Sequence, residues 1–466
     1  MDRLTHAVDI RRGRSDPALR RTLGRIIEAA VGAVEPGAAV RAAVRRRGST
    51  LRIGTKTYHL DRLRRVVVIG AGKAAAPMAR ALEEILGAHL TGGLVSVKDG
   101  HTTPLRRVEL VEAGHPLPDA RGERAAERIL QIAQDASAGD LVLCVISGGG
   151  SALLPAPVEG LSLQDKIALT DLLLRSGATI QEVNAVRKHL SQIKGGRLAT
   201  AAYPAHLGVL VLSDVIGNPL DAIASGPAVP DPTTFADALA IVRRYGIDTT
   251  MPPVALAHLR RGAAGEIPET PKPHDPVFAR VHTAIIGSNE HAARAAAGAA
   301  RREGYRTLLL TSSLDGEARE AARLLASMAR GAQDAGIPLD PPVCLIAGGE
   351  TTVTVRGNGK GGRCQEFALS AALSIAGRRE ILLAAFGTDG TDGPTDAAGA
   401  LTTGDTLDRA AALGIDARAA LVENDAYPFF HGVGDLIVTG PTNTNVNDLY
   451  LALIGGPGRA RGKAQR

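Results

Sequence analysis

At 466 residues the chain is too long for one ordinary hydrophobic core, so its length predicts two or three domains. Hydrophobic residues make up 45% and charged residues 22%, as in globular proteins, while the absence of Trp and the six Tyr and six Phe argue against a base-stacking surface for single-stranded nucleic acid. The net charge of +6 comes from the N-terminal region, because residues 1–65 hold 16 Lys and Arg against 6 Asp and Glu.

The basic N-terminal region is interpreted as an amphipathic helix with a solvated arginine face, although such a surface could also contact nucleic acid or a membrane. Its apolar residues recur at helical spacing: Leu19, Leu23, Ile26, Ile27, Ala30, Val31 and Val34. The three scattered cysteines imply neither a disulfide framework nor a zinc site. No apolar run is long enough to span a bilayer and no signal-peptide pattern is present. We therefore expect a cytoplasmic protein with no membrane and no nucleic-acid partner.

In the first half, short apolar runs alternate with helical patterns. The predicted strands are Val66–Ile69, Gly93–Val97, Leu141–Ile146 and Val209–Leu212, with a helix over Ala74–Leu86. Strands that are apolar on both faces and separated by helices predict a mostly parallel sheet covered on both sides. Ligands of such sheets bind at the carboxyl ends of the strands, which is where glycines or polar residues follow three of these runs.

Residues 251–276 contain six prolines and predict a linker. After it the rhythm resumes, with predicted strands at Thr283–Ile286, Thr307–Thr311, Val343–Ala347, Thr352–Val355 and Ile381–Phe386 and helices at Ala292–Arg302, Glu317–Ala335 and Gln365–Ala376. The last apolar run, Leu449–Ile454, is expected to close a second sheet. The pattern predicts an α/β protein with two domains, residues 15–255 and 277–457.

Two glycine-rich turns in the first half are candidate anion sites. The segment Gly70-Ala71-Gly72-Lys73-Ala74-Ala75 fits the dinucleotide fingerprint G-x-G-x-x-A, but Lys73 inside the loop favours a phosphoryl group or a carboxylate as the ligand. Tight strand-to-helix packing would explain the same glycines. The second turn runs from Ser147 to Ser151 through Gly148, Gly149 and Gly150, and it could bind nucleotide phosphates or be a purely structural turn. No P-loop motif occurs in the sequence.

Two further candidates lie between this turn and the linker. Asn184, Arg187 or Lys188, Ser191 and Lys194 are expected near one helical face, and Lys194 is a candidate phosphate ligand, although late lysines also complement a helix dipole. Asp214 follows a buried-type strand, where it would serve as general base or metal ligand, or cap the next turn.

The second half carries three polar segments at predicted strand or helix ends. Glu350 follows a strand directly, and Arg363 ends the glycine-rich loop 357–363 and starts a helix. Asp389 and Asp392 lie three residues apart on a flexible turn, a spacing that suits Mg²⁺, which takes one or two carboxylates plus substrate phosphates.

At these residues the chain resembles the glycerate 2-kinase family, whose C-terminal half is called the MOFRL region. The resemblance extends from about residue 20 to 455, and its ordered blocks are VVIGAGK (67–73), GHPLPD (114–119), ISGGGSAL (146–153), NAVRKHLS (184–191), IKGGR (193–197), LSDV (212–215), IASGP (223–227), IGSN (286–289), GGE (348–350), GGR (361–363) and GTDGTDGPTDAAG (387–399). Two positions depart from the family pattern: Cys364, where Asn is common, and residues 216–220, which are often acidic.

The resemblance implies a Rossmann-like N-terminal domain, a second α/β domain of MOFRL type and an active site in the cleft between them. It implies that ATP, with Mg²⁺, phosphorylates the 2-hydroxyl of D-glycerate, giving 2-phosphoglycerate and ADP. The family's catalytic lysine and arginine match Lys73 and Arg363, which with Glu350 would hold the substrate, while Asp214 or Glu350 would accept the hydroxyl proton. The sequence leaves open an NAD(P)H-dependent hydroxypyruvate reductase, and the expected assembly is a monomer or a homodimer.

Overall fold

The computed structural model describes residues 17–456. Its helices, in chain order, are α1 (Pro17–Ala33), α2 (Pro36–Ala43), α3 (Ala75–Leu86), α4 (Ala120–Gln134), α5 (Gly150–Leu153), α6 (Leu163–Arg175), α7 (Ile180–His189), α8 (Arg197–Ala202), α9 (Phe235–Arg244), α10 (Pro253–Ala263), α11 (Asn289–Arg302), α12 (Ala318–Ala335), α13 (Arg363–Ile375), α14 (Thr406–Ala412), α15 (Ala417–Val422) and α16 (Ala426–Val433). Its strands are β1 (Val44–Arg47), β2 (Thr50–Ile53), β3 (Lys56–His59), β4 (Arg65–Ala71), β5 (Leu90–Lys98), β6 (Val108–Ala113), β7 (Asp140–Ile146), β8 (His206–Leu212), β9 (Val281–Gly287), β10 (Arg306–Leu314), β11 (Val343–Gly349), β12 (Ile381–Gly387), β13 (Gly399–Thr403), β14 (Leu436–Ile437) and β15 (Asp448–Ile454).

The described residues form two compact units. Residues 36–286 make the N-terminal unit, and residues 17–35 together with 287–456 make the C-terminal unit. The predicted helix over the first apolar residues is confirmed as α1, whose stripe of Leu23, Ile26, Ile27 and Ala30 is fully buried. It packs against α11 and so groups with the C-terminal unit, whereas the sequence placed it in a domain ending at residue 255.

The N-terminal unit contains a six-stranded sheet in the order β6-β5-β4-β7-β8-β9. The pairs from β6 to β8 are all parallel, which confirms the α/β prediction. The central strands β4 and β7 are buried almost throughout because helices cover both faces. The carboxyl ends of β4, β7 and β8 therefore meet at one edge of the sheet.

The boundary predicted at residues 251–276 differs from the division between the units. Pro252 and Pro253 open α10 instead of ending a domain, as proline is well tolerated at the start of a helix. The strand predicted at Thr283–Ile286 forms as β9, and it joins the first sheet at its edge. A small antiparallel sheet, β1-β2-β3, was not predicted, since each strand has only four residues and β1 is arginine-rich.

The C-terminal unit contains a second six-stranded sheet in the order β10-β11-β15-β12-β13-β14. Only β10 and β11 pair in parallel, and the other pairs are antiparallel. The last strand, β15, lies in the middle of the sheet between β11 and β12, not at an edge. The strand predicted at Thr352–Val355 does not form, because only Thr352 makes a bridge, with Glu317. No helix among residues 17–456 is both long and apolar enough to cross a membrane.

Candidate active site

The two glycine-rich turns of the N-terminal unit are bonded to each other at the carboxyl ends of β4 and β7. The N–H of Lys73 donates to the carbonyl of Gly148 at 2.9 Å, and the N–H of Ala74 donates to Ser147 Oγ at 3.0 Å. These bonds follow from the parallel pairing of β4 with β7, which places the two turns side by side. The structure thus brings together two segments that the sequence singled out separately.

The glycines of the first turn have a packing role that is independent of any ligand. Gly70 has a φ of +150°, and a Cβ there would lie 2.0 Å from the carbonyl oxygen of Val145. Gly72 has a φ of +140°, and a Cβ there would lie 2.1 Å from Ser147 Oγ. The dinucleotide-like spacing is therefore explained by the close approach of β4 to β7.

Lys73, Asp214 and His115 surround the second turn. A Cβ added to Gly148 would lie 2.2 Å from Asp214 Oδ2, and one added to Gly149 would lie 2.9 Å from the His115 ring and 3.5 Å from Lys73 Cγ. Burial, followed by the nearby positive charge of Lys73, lowers the pKa of His115. In the sequence, His115 stands out only as part of the GHPLPD block, because no local pattern places it beside the turn.

Ser151, at the end of this turn, is held by two cations from the segment after α6. Lys194 Nζ donates to both the carbonyl oxygen and Oγ of Ser151 at 3.0 Å, and Arg187 Nη2 donates to Ser151 Oγ at 2.5 Å. Ser225 completes the group, with its Oγ 3.0 Å from Ser151 Oγ and donating to Asn184 Oδ1 at 3.1 Å. Burial, then the charge of Arg187, lowers the pKa of Lys194 well below its usual range. Asn184 and Arg187 lie on α7 and meet Lys194 here, but α7 ends at His189, so Ser191 and Lys194 are not on its face as the sequence predicted.

In the C-terminal unit, Arg363 starts α13 and is fixed by two carboxylates. Its Nε and Nη2 donate to Asp448 at 2.5 and 3.0 Å, and its Nη1 lies 2.9 Å from Glu350 Oε1. Burial opposes the positive charge of Arg363, but the hydrogen bonds that Arg363 donates to Asp448 outweigh it and raise the pKa of the guanidinium. Asn447 Nδ2 donates to the other Glu350 oxygen at 2.5 Å. Arg363 and Glu350, both predicted as substrate ligands, are thus in direct contact.

Asp448 contacts Arg363 but was not among the residues that the sequence predicted for the site. It begins the fully buried strand β15, and Tyr450 donates its hydroxyl to Asp448 Oδ2 at 3.2 Å. An acidic residue at the start of an otherwise apolar strand was the available signal, because a buried carboxylate requires a partner.

The two aspartates expected to bind a metal have different environments. Both oxygens of Asp392 accept backbone N–H groups of α13, from Cys364 at 3.1 Å and Gln365 at 2.8 Å. Burial raises the pKa of Asp392 to about 7. Asp392 therefore anchors the start of α13 and is not arranged as a metal ligand. Asp389 is half-buried, and among residues 17–456 its Oδ1 accepts the N–H and the hydroxyl of Thr391, so the carboxylate retains free lone pairs.

Within residues 17–456 no three His, Cys, Asp or Glu side chains are grouped as a metal cluster. Mg²⁺ does not need such a cluster when phosphates supply the remaining oxygens, so Asp389 on its own fits one carboxylate ligand. Cys364, the departure from the family pattern, is fully buried, and burial raises the pKa of its thiol well above the usual range. The thiol therefore stays protonated, and its side chain also hydrogen-bonds with Asp448, the carboxylate partner of Arg363.

Comparison with known proteins decides the family. Residues 22–260 match the model described as "Domain of unknown function (DUF4147)", and residues 343–448 match the MOFRL family. A protein of Pyrococcus horikoshii named glycerate 2-kinase is 44% identical over 431 residues, covering 92% of this chain and 96% of that protein. The chain belongs to the glycerate 2-kinase family. Within the glycerate 2-kinase family, a crystal structure of glycerate kinase from Thermotoga maritima matches with a TM-score of 0.85 and 41% identity, covering 94% of this chain and 100% of that one.

Some relatives carry another name. A protein of Agrobacterium vitis named putative hydroxypyruvate reductase is 45% identical over 445 residues, covering 95% of this chain and 96% of that protein. Lys73 and Arg363 lie in two of the blocks shared with the glycerate 2-kinase family, and the structure describes both blocks. Each residue follows a glycine-rich segment: Lys73 lies just before α3, and Arg363 begins α13.

Proposed function

We propose that this protein is a glycerate 2-kinase that transfers the γ-phosphoryl group of ATP to the 2-hydroxyl of D-glycerate, releasing 2-phosphoglycerate and ADP. The observation that carries the proposal is the bonding of the Lys73 turn to the triple-glycine turn at the carboxyl edge of a parallel sheet, in a chain of this family. Phosphoryl transfer requires mainly positioning and neutralisation of charge, and a cation beside exposed backbone N–H groups supplies both.

In the N-terminal unit, the turn from Ser147 to Ser151 would bind nucleotide phosphates through its backbone, with Lys194 behind it. Lys73 would neutralise charge that develops on the transferred group. Asp214 lies against Gly148, at the edge of the same turn, and would accept the proton of the substrate hydroxyl.

In the C-terminal unit, Arg363 would bind the carboxylate of glycerate or the transferring group. Its Nε–Nη2 edge is occupied by Asp448, so the incoming anion would compete with Glu350 for Nη1. Asp389 would hold Mg²⁺, which when bound would neutralise part of the phosphate charge. A cytoplasmic location and assembly as a monomer or homodimer stay predictions from the sequence.

The decisive experiment supplies purified protein with ATP, Mg²⁺ and D-glycerate, adds only enolase, and measures phosphoenolpyruvate. A signal that depends on D-glycerate identifies phosphorylation at the 2-position, because 3-phosphoglycerate is not a substrate of enolase. ADP release without phosphoenolpyruvate would mean a different hydroxyl or acceptor, and the proposal would be wrong in its substrate.

The reductase named for some relatives is tested in the same preparation. If the protein oxidises NADH in the presence of hydroxypyruvate and forms no ADP from ATP and glycerate, the reductase replaces the kinase as the proposed function. The Gly70–Ala75 spacing that favoured a dinucleotide is accounted for by the packing of β4 against β7, so we expect no NADH oxidation.

A further inference from the structure

Lys194 is buried and Arg187 is half-buried beneath the triple-glycine turn. Lys194 is 1% exposed, and among residues 17–456 its ammonium donates to Ser151 and, at 3.4 Å, to the carbonyl of Ala224. Arg187 donates to Ser151 Oγ, and its Nε is buried without a hydrogen-bond partner. In the described part of the chain, the acceptors bonded to the two cations are all neutral oxygens.

No carboxylate within 4 Å neutralises either cation among residues 17–456, whereas charged side chains are rarely buried without a partner. Lys188, on the neighbouring stretch of chain, shows the usual arrangement. It is 2% exposed, and its ammonium lies 3.4 Å from both Asp221 and Asp231. The same segment therefore buries one lysine with counter-charges and leaves Lys194 without one.

A third buried amine lies in the same region. Lys166 on α6 is 6% exposed, and when protonated its charge, partly offset by Glu123, acts on Lys194 together with that of Arg187. Positive charge held in a low-dielectric interior is screened only weakly, so it extends to the surface of the turn above it.

The turn itself presents donors toward that surface. In the part of the chain described here, the backbone N–H groups of Gly148, Gly149 and Ser151 make no hydrogen bond, and all three residues are half-buried. Gly149 has a φ of +82°, in the left-handed region, which turns successive N–H groups toward one side. Backbone donors above uncompensated positive charge form a site for an anion.

We propose that this turn binds a phosphate group, with Lys194 and Arg187 acting through Ser151 as positioning residues that supply its counter-charge. The inference rests on the proposed function for the origin of the phosphate, a nucleotide or the phosphorylated product. The two cations touch Ser151 and not the ligand, so their contribution is electrostatic. A bound anion stabilises the protonated form of Lys194, whereas burial disfavours that form when no anion is bound.

This arrangement predicts that stability and binding change in opposite directions. Lys194→Met keeps a similar volume and removes a buried charge, so the ligand-free protein is expected to melt at the same temperature or higher. The same variant is expected to bind phosphate more weakly. A lysine with only a structural role would, when replaced, lower both.

The experiment measures binding of inorganic pyrophosphate to the full chain by calorimetry, and melting with and without pyrophosphate. We expect Lys194→Met and Arg187→Met each to weaken pyrophosphate binding about tenfold, and Arg187→Lys, which keeps the charge, to retain most of it. Arg243→Met removes an exposed arginine of α9 and is the control for net charge, with unchanged binding expected. Binding by Lys194→Met equal to that of the wild type, or a loss of binding accompanied by a lower melting temperature without ligand, would overturn the proposal.

Two further titrations identify the source of the phosphate. If ADP displaces bound pyrophosphate and 2-phosphoglycerate does not, the turn binds the nucleotide. If 2-phosphoglycerate displaces it and ADP does not, the turn binds the product. The pyrophosphate titration needs no glycerate. If the protein fails the enolase assay but still binds pyrophosphate in a way that depends on Lys194 and Arg187, the kinase proposal is wrong and the phosphate site stands. Phosphorylation of glycerate with unaltered pyrophosphate binding in Lys194→Met would sink this inference alone.

Discussion

Arg363 donates two parallel hydrogen bonds to Asp448, from Nε to Oδ2 at 2.5 Å and from Nη2 to Oδ1 at 3.0 Å. The paired bonds fix the plane of the guanidinium and leave Nη1 facing Glu350. Asp448 therefore determines where the one remaining edge of Arg363 points.

Asp448→Asn is expected to lower kcat about 10²-fold while leaving the fold intact, because the amide offers one acceptor where the carboxylate offers two. Asp334→Asn removes the exposed carboxylate partner of Arg378 and should leave kcat unchanged. The measurement is steady-state kinetics with D-glycerate, with melting temperature as a check on folding. A normal kcat in Asp448→Asn would show that the orientation of Arg363 does not matter.

Lys73→Ala is expected to lower kcat about 10²- to 10³-fold, in the range found when one donor to a developing negative charge is removed. Its side chain makes no ion pair with any residue from 17 to 456, so the melting temperature should not change. Lys56→Ala, at an exposed position of β3, is the matched loss of one lysine. Near-normal turnover by Lys73→Ala would remove this residue from the mechanism.

Gly148→Ala places a methyl group 2.2 Å from Asp214 Oδ2, so the carboxylate or the turn must move. We expect turnover to fall at least tenfold, since a displacement near 1 Å can cost more than that. Gly139→Ala, just before the opposite end of β7, has no neighbour closer than 3.7 Å and should be silent. Equal activity of the two alanine variants would contradict the role given to the turn.

Substitutions of Asp389 and Asp392 are expected to have different effects, one on the Mg²⁺ requirement and the other on stability. Asp392→Ala leaves the buried N–H groups of Cys364 and Gln365 without acceptors, which is expected to cost about 1–3 kcal/mol of unfolding free energy. Asp389→Asn should instead raise the Mg²⁺ concentration needed for half-maximal rate, with unchanged stability. Denaturant titration and the Mg²⁺ dependence of the rate are measured on both variants. A loss of stability in Asp389→Asn, or a raised Mg²⁺ requirement with normal stability in Asp392→Ala, would contradict the assignment.

Lys166 provides a test of pH dependence. Burial, followed by the charge of Arg187, lowers the pKa of Lys166 to about 7. Between that value and the unfolded pKa near 10.4 the unfolded chain binds a proton that the native chain does not, so stability rises with pH in this window. Lys166→Met removes the dependence and should stabilise the protein on the order of 3 kcal/mol at pH 7, and much less near pH 10. A stability gain that is the same at both pH values would show that Lys166 keeps an ordinary pKa.

The N-terminal sheet could be predicted because β4, β7 and β8 are apolar on both faces, a pattern that parallel strands between helices require. The same pattern in β12 and β15 gave no sign that these strands are antiparallel, since burial on both faces hides the direction of pairing.

Only the part of the candidate site that lies on locally recognisable loops could be predicted from the sequence. Lys73 and Arg363 stand on glycine-rich loops that are visible locally, whereas Asp448 meets Arg363 across 85 residues of sequence. A contact at that separation depends on the order of the strands, which periodicity does not encode. Asp392 has the spacing of a metal ligand, but its use as a helix anchor depends on where α13 begins.

The central place of β15 has a consequence for biosynthesis. Strands β11 and β12 do not pair with each other; each pairs with β15, which leaves the ribosome after both of them. Until then two buried-type strands expose unpaired edges, and Arg363 lacks the aspartate that orients it. The C-terminal unit is therefore expected to complete its sheet only late in translation or after it, and nascent chains stopped before Asp448 should be inactive and bound by chaperones.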